Sequence, residues 1–264
     1  MSRSPSSIEV LDRVLRDTST LTDTRRWLLQ RAAVGAAGVA AASAGIFACS
    51  ALADDRSDRP SNGDGSIDDW GVFTSTTEAL TVTILTELLR RTRLHPEVPS
   101  EVSRTFDAVY AAELDHWNFI SQHFDPSTKH FWIPDGFFGG ADDALDLTAV
   151  GKGVSGGETL FVNTYLVGVT TFAEAGDPKF ARYAAEAAGD ESEHRVLGQT
   201  LAGASPPNNL GFEEFVFDNV GDIEAALVGA GFGLGQEGAS PGRFYDFPEP
   251  PMAPPISISS NEPK

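Results

Sequence analysis

Between residues 70 and 202 the apolar positions recur with the period of a helix in four stretches, separated by turn-forming residues. In the first, from Thr76 to about Thr92, Leu80, Ile84 and Leu88 fall four apart with Leu85 and Leu89 beside them, which makes one apolar stripe. Pro96 and Pro99 interrupt it. The second runs from Ser100 through Val102, Phe106, Val109, Leu114 and Trp117 to Ile120 and ends before Pro126. Residues 124–157 then hold two prolines, several glycines and the aromatic pairs Phe131-Trp132 and Phe137-Phe138, without a sustained period. So long a connection suits a crossover between the ends of a bundle. A third helix is expected from Glu158 to Glu174, after Gly156-Gly157 and before Gly176-Asp177-Pro178. Pro178 opens a fourth, which carries Phe180, Tyr183, Ala187 and Leu197 to about Leu201 and is closed by Gly203 and Pro206-Pro207. The pattern predicts an all-α protein, an antiparallel four-helix bundle with a long crossover between helices two and three.

The flanks differ in character. Residues 24–29 read Thr-Arg-Arg-Trp-Leu-Leu and precede an Ala- and Gly-rich apolar run from Ala32 to Ala48, the layout of a twin-arginine export signal. Ala51-Leu52-Ala53 fits a cleavage site, so residues 1–53 are expected to be a signal peptide. Retention as a membrane anchor and lipid attachment at Cys49 stay open as alternatives. Residues 54–69 are polar and without apolar period, which predicts a linker. Residues 203–264 form a C-terminal extension, with a short helix from Glu213 to Val228 and, after Gly229, a Pro-rich tail that is extended or disordered.

Charge and cysteine count narrow the chemistry. With 19 Lys and Arg against 38 Asp and Glu, the chain offers no surface for a phosphate backbone, which excludes nucleic acid as a partner. The single cysteine, Cys49, rules out an internal disulfide framework and any thiolate metal site. Metal chemistry must therefore use carboxylates and the five histidines.

Two Glu-x-x-His pairs stand out, Glu113 with His116 and Glu191 with His194, one on the second predicted helix and one on the fourth. Residues three apart share a helix face, so each pair can close on one ion. Bundles that hold two metals take such a pair from each of two helices and a lone Glu from each of the other two.

On these pairs, the helix order, the Gly- and aromatic-rich crossover and the run Val167-Gly168-Val169-Thr170-Thr171-Phe172, the chain resembles the ferritin-like superfamily, in particular exported bacterial ferritin-like proteins of the desiccation-related type. The likeness covers roughly residues 70–202 and implies a di-iron or di-manganese centre in complete members. It places Thr83 and Tyr165 at the two lone-Glu positions, so both of those carboxylates are expected to be missing. Two Glu and two neutral His then leave two divalent ions short of negative charge, and one ion is easier to hold. Glu87, four residues beyond Thr83, is the expected substitute ligand. Tyr165 is either a core aromatic or a phenolate near the metal.

The expected function is an exported protein that binds one or two transition-metal ions, iron or manganese, through Glu113, His116, Glu191, His194 and Glu87, with weak redox activity. The alternative is a metal-free ferritin-like scaffold of the cell envelope in which the four paired residues only pin two helices together. Whether the chain is an enzyme stays open. A homo-oligomer such as a dimer is open, contact with the membrane is expected only through the signal or a lipid, and a storage shell is not expected.

Overall fold

A computed structural model describes residues 66–204, 207, 217–254 and 256. The expected signal peptide and most of the expected linker lie outside the described residues.

Ser66 starts α1, Ile67–Leu94, by accepting a hydrogen bond from the Asp69 amide, with Asp68 and Asp69 at the positive end of the helix dipole. The helix begins nine residues before the apolar stripe does, because Thr74, Thr76 and Thr77 return their hydroxyls to backbone carbonyls one turn back. Polar residues satisfied within their own helix can be buried without leaving a hydrophobic signal. A short turn leads to α2, Ser100–Ile120.

The expected crossover is shorter and more ordered than its composition suggests. It contains β1, His130–Pro134, and a 3₁₀ turn, Asp135–Phe137, and it ends where Asp146 caps α3, Leu147–Glu174. The third helix thus starts eleven residues before the expected Glu158. Glycines within it obscured the start, and Gly151 is there for close packing: a Cβ would come within 2.5 Å of the Ala202 backbone nitrogen at the end of α4, Pro178–Leu201. Gly198 of α4 makes the reciprocal approach, 2.8 Å from the Ser155 nitrogen. These two glycines let α3 and α4 pack backbone to backbone. Gly168 serves Trp70, whose indole lies where a Cβ would project and donates Nε1–H to the Thr164 carbonyl at 2.8 Å.

The C-terminal extension corrects a second expectation. After α5, Val220–Gly229, the chain forms β2, Gly233–Leu234, and β3, Gly242–Asp246, which flank β1 in an antiparallel sheet of order β2-β1-β3. Phe131 sits opposite Leu234 on one side and Tyr245 on the other. The tail therefore folds back on the helices: Tyr110 donates its hydroxyl to the Met252 carbonyl at 2.8 Å, and Trp117 packs on Phe247. Among the described residues the fold is mostly helical, five α-helices with one small sheet, and no helix is long and apolar enough to cross a membrane.

Candidate metal centre

Six ionisable side chains from four helices meet in the interior. Glu78 comes from α1, Glu113 and His116 from α2, Glu158 from α3, and Glu191 and His194 from α4, and none is more than 6% exposed. Removing so many charges from water costs several kcal/mol per ion unless each is neutralised or bound. The arrangement shows how that can happen. His194 Nδ1 lies 2.7 Å from Glu113 Oε1 and 3.1 Å from Glu191 Oε2. His116 Nδ1 lies 3.3 Å from Glu191 Oε1, 3.6 Å from Glu113 Oε2 and 4.0 Å from Glu78 Oε1. Both imidazoles thus present Nδ1 to the same two carboxylates.

Two sets of donor atoms result, each contained within 4.8 Å: Glu78, Glu113, His116 and Glu191 in one, Glu113, Glu158, Glu191 and His194 in the other. Glu113 and Glu191 belong to both. The cluster is therefore two adjacent sites with two common carboxylates, each completed by one imidazole and one further carboxylate.

Its electrostatics follow from burial. Desolvation raises the carboxyls of Glu78 and Glu158 well above their usual range, and the neighbouring Glu113 and Glu191 add to the shift. Desolvation also works against a charged Glu113, but His194 and His116 outweigh it and hold this carboxyl low. For the histidines, burial disfavours the charged form, and the surrounding carboxylates overcome it. His116 is raised chiefly by Asp190 and Glu113, and His194 by Glu113 and Glu191.

Neighbouring groups orient the ligands. His116 Nε2 lies 3.3 Å from Asp190 Oδ2, which directs Nδ1 inward. Tyr165 donates its hydroxyl to Glu78 Oε1, and Tyr183 donates at 3.5 Å to the His116 carbonyl. Tyr165 is fully buried, and burial together with Glu78 pushes its phenol well above the usual value, so it is a neutral donor to a candidate ligand. Glu78 Oε2, both oxygens of Glu113, Glu158 Oε2 and Glu191 Oε1 meet no aligned hydrogen-bond donor among the described residues. The oxygens of Glu113 and Glu191 nevertheless face the His194 and His116 imidazoles, so those with neither a donor nor an imidazole beside them among the described residues are Glu78 Oε2 and Glu158 Oε2. Protons or cations would offset the buried charge.

Of the residues singled out in the sequence, Glu113, His116, Glu191 and His194 converge, and Glu87 does not. Its carboxylate is held by Arg90 at 2.7 and 2.8 Å and by Arg91 at 2.7 Å, and these bonds outweigh burial and lower its pKa. Nine residues separate Glu87 from Glu78, which at 100° per residue puts the two on opposite faces of α1. The expectation that no carboxylate joins the two pairs from the other helices is also corrected: Glu78 of α1 and Glu158 of α3 lie in the cluster, and neither Thr83 nor Tyr165 supplies a carboxylate there. A signal for them was present. Glu78 stands two helical turns before Leu85 of the apolar stripe, and Glu158 two turns before Tyr165, so both fall on buried faces. The remaining histidines lie elsewhere: His95 pairs with Glu97, His130 with Asp246, and His123 packs on Phe119 and Phe180.

Neither a protein-family model, nor a curated protein, nor a solved structure matches this chain. What the fold and the cluster define is a mostly helical protein with a buried Glu and His site that could hold a metal ion.

Proposed function

We propose that the protein is a ferritin-like, dinuclear metal protein, with Glu78, Glu113, His116 and Glu191 holding one divalent ion and Glu158, Glu113, Glu191 and His194 the other. The observation that carries this reading is the pair of donor sets with Glu113 and Glu191 in common. Charge supports it: four carboxylates balance two divalent cations, so the bound state puts no net charge into the interior. So does the distribution over the helices, a Glu-x-x-His on each of two and a lone Glu on each of two others, as in di-iron and di-manganese carboxylate bundles.

Carboxylate oxygen and imidazole nitrogen suit iron or manganese, and when bound such ions supply one-electron chemistry toward oxygen or peroxide. The chain's own residues bind and orient. Asp190 fixes the His116 ring, the Tyr165 hydroxyl steadies Glu78, and Trp70, Tyr165 and Phe172 pack together and keep water from that side. A role outside the cytoplasm is supported by the arginine pair, apolar run and cleavage pattern of residues 1–53.

A metal-free scaffold draws support from the same interior, since Glu78 and Glu158 held protonated leave charged His116 and His194 facing the carboxylates of Glu113 and Glu191. Elemental analysis by mass spectrometry decides between them. Protein purified from its native host should carry close to two iron or manganese ions per chain, and the double variant His116→Ala, His194→Ala close to none. Metal-free protein whose melting temperature ignores both added metal and chelator would refute the dinuclear reading.

A further inference from the structure

A cavity of about 340 Å³, open to solvent on one side, lies against Glu158 and His194 of the cluster, between the four long helices and the returning C-terminal segment. Its wall is aliphatic and aromatic, with Leu85 from α1, Phe106 from α2, Phe161 from α3, Leu201 from α4 and Phe232 from beyond α5. The lining also takes in Glu158 and His194 of the cluster, together with Glu101 and the threonines Thr81, Thr105 and Thr200. Glu158 is 6% exposed, and its Oε2 has no hydrogen-bond donor among the described residues.

The lining also gives the cavity its shape. On α3 it runs from Gly153 to Phe161 and on α2 from Glu101 to Val109, eight residue steps in each, or about 12 Å along the helix axes. The volume falls within the range of small-molecule sites, about 300–1,000 Å³.

Gly157 is an independent observation. It lines the cavity next to Glu158, well inside α3, where glycine costs about 1 kcal/mol relative to alanine. Close packing does not explain it, because a Cβ there would meet nothing within 4 Å, in contrast to Gly151 and Gly198. The missing side chain keeps space open beside the metal-binding cluster. From the apolar wall, the run of its lining along α2 and α3 and this glycine, the structure assigns the cavity to an uncharged, extended apolar molecule lying along α2 and α3 and passing Glu158 and His194. Occupancy of the cavity depends on its lining and on Gly157 and not on a metal. The molecule's approach to a bound ion rests on the dinuclear reading.

The test uses the full-length protein and a neutral apolar dye, 1-N-phenylnaphthylamine. One saturable site is expected, with 1-decanol displacing the dye and glucose leaving it in place. Gly157→Phe, which fills the space, should weaken dye binding at least tenfold while helicity and melting temperature hold; if that variant does not fold, Gly157→Leu serves the same purpose. In cobalt-loaded protein, 1-decanol should alter the visible cobalt absorption. Dye binding that is unsaturable, or unchanged in both Gly157 variants, overturns the assignment even if cobalt binds. Protein that binds the dye and is displaced by 1-decanol but takes up no cobalt supports the cavity and removes only the metal reading.

Discussion

Loading the cluster with two divalent ions should expel about four protons, because the groups that must ligate are those that the interior keeps protonated. Glu78 and Glu158 have raised carboxyls, and His116 and His194 have raised imidazoles. A carboxyl or an imidazolium must lose its proton before it can bind a metal. Four protons out and four positive charges in leave the net charge of the interior unchanged, so the exchange avoids the cost of burying an uncompensated charge. Each ion then displaces about two protons. While the pH stays below the raised pKa values, lowering it by one unit should weaken each ion's binding about a hundredfold, about 2.7 kcal/mol. Proton release can be read in a lightly buffered anaerobic titration with zinc, which is redox-silent, using a pH indicator or calorimetry in buffers of different ionisation enthalpy. Wild-type protein should release close to two protons per ion with a break at two ions per chain. Release below one proton per ion, with affinity flat between pH 6 and pH 8, would show that the carboxylates already stand ionised and would refute the proton-for-metal exchange.

The same balance predicts single-site effects. Glu78→Gln or Glu158→Gln keeps the shape of a neutral carboxyl but removes one negative charge from the loaded state, so metal content should drop from two ions toward one while the melting temperature of metal-free protein changes little. Metal-free protein should be more stable at pH 5 than at pH 8. All four raised groups contribute stability that is complete below their unfolded pKa values, near 4.5 for the two Glu and 6.5 for the two His, and that is lost as pH climbs through the folded values. Thermal melts in chelator should show this trend, and metal-loaded protein the opposite one. Glu87→Ala should leave metal content unchanged but cost about 3 kcal/mol in denaturant unfolding, because it strips its carboxylate from the wholly buried Arg91. Gly198→Val should force α3 and α4 apart at their closest approach, costing about 1–3 kcal/mol and loosening metal binding, since Glu158 and Glu191 ride on those helices.

Four of the six residues of the cluster could be read from the sequence because their spacing is local. Glu113 with His116, and Glu191 with His194, are neighbours on one helix face whatever surrounds them, and helices two and four are bounded by prolines that act through the backbone alone. Glu78 and Glu158 lack a local partner, and both stand at or near the expected starts of their helices, where the apolar period is weakest. The first follows the Thr74 to Thr77 run, whose hydroxyls are satisfied inside α1, and the second follows Gly156-Gly157, read as the end of a loop. The sheet was hidden for a different reason. Phe131, Ile133 and Phe247 are buried only because residues about a hundred positions apart pair across β1 and β3, and a Pro-rich tail carries no periodic sign of that pairing.

The positions where helical regularity weakens are thus the ones that carry the chemistry. An apolar residue at 78 or 158 would have improved the stripe on α1 or α3, and alanine at 157 would have strengthened the helix by about 1 kcal/mol. Stability is recovered at a distance: Arg91 joins Glu87, the Ala144 carbonyl and the Tyr245 hydroxyl under the ring of Phe138, and so ties the crossover and the tail to α1. If the polar interior exists to bind metal and the gap at 157 to admit a ligand, repairing the helix should separate stability from function. Gly157→Ala should raise the unfolding free energy of metal-free protein by up to about 1 kcal/mol, because nothing obstructs the new methyl group. Metal content should stay at that of the unmodified protein. A loss of stability on this substitution would mean that the backbone at Gly157 is under a constraint the helix geometry does not show, and that the open space beside Glu158 is a by-product of it.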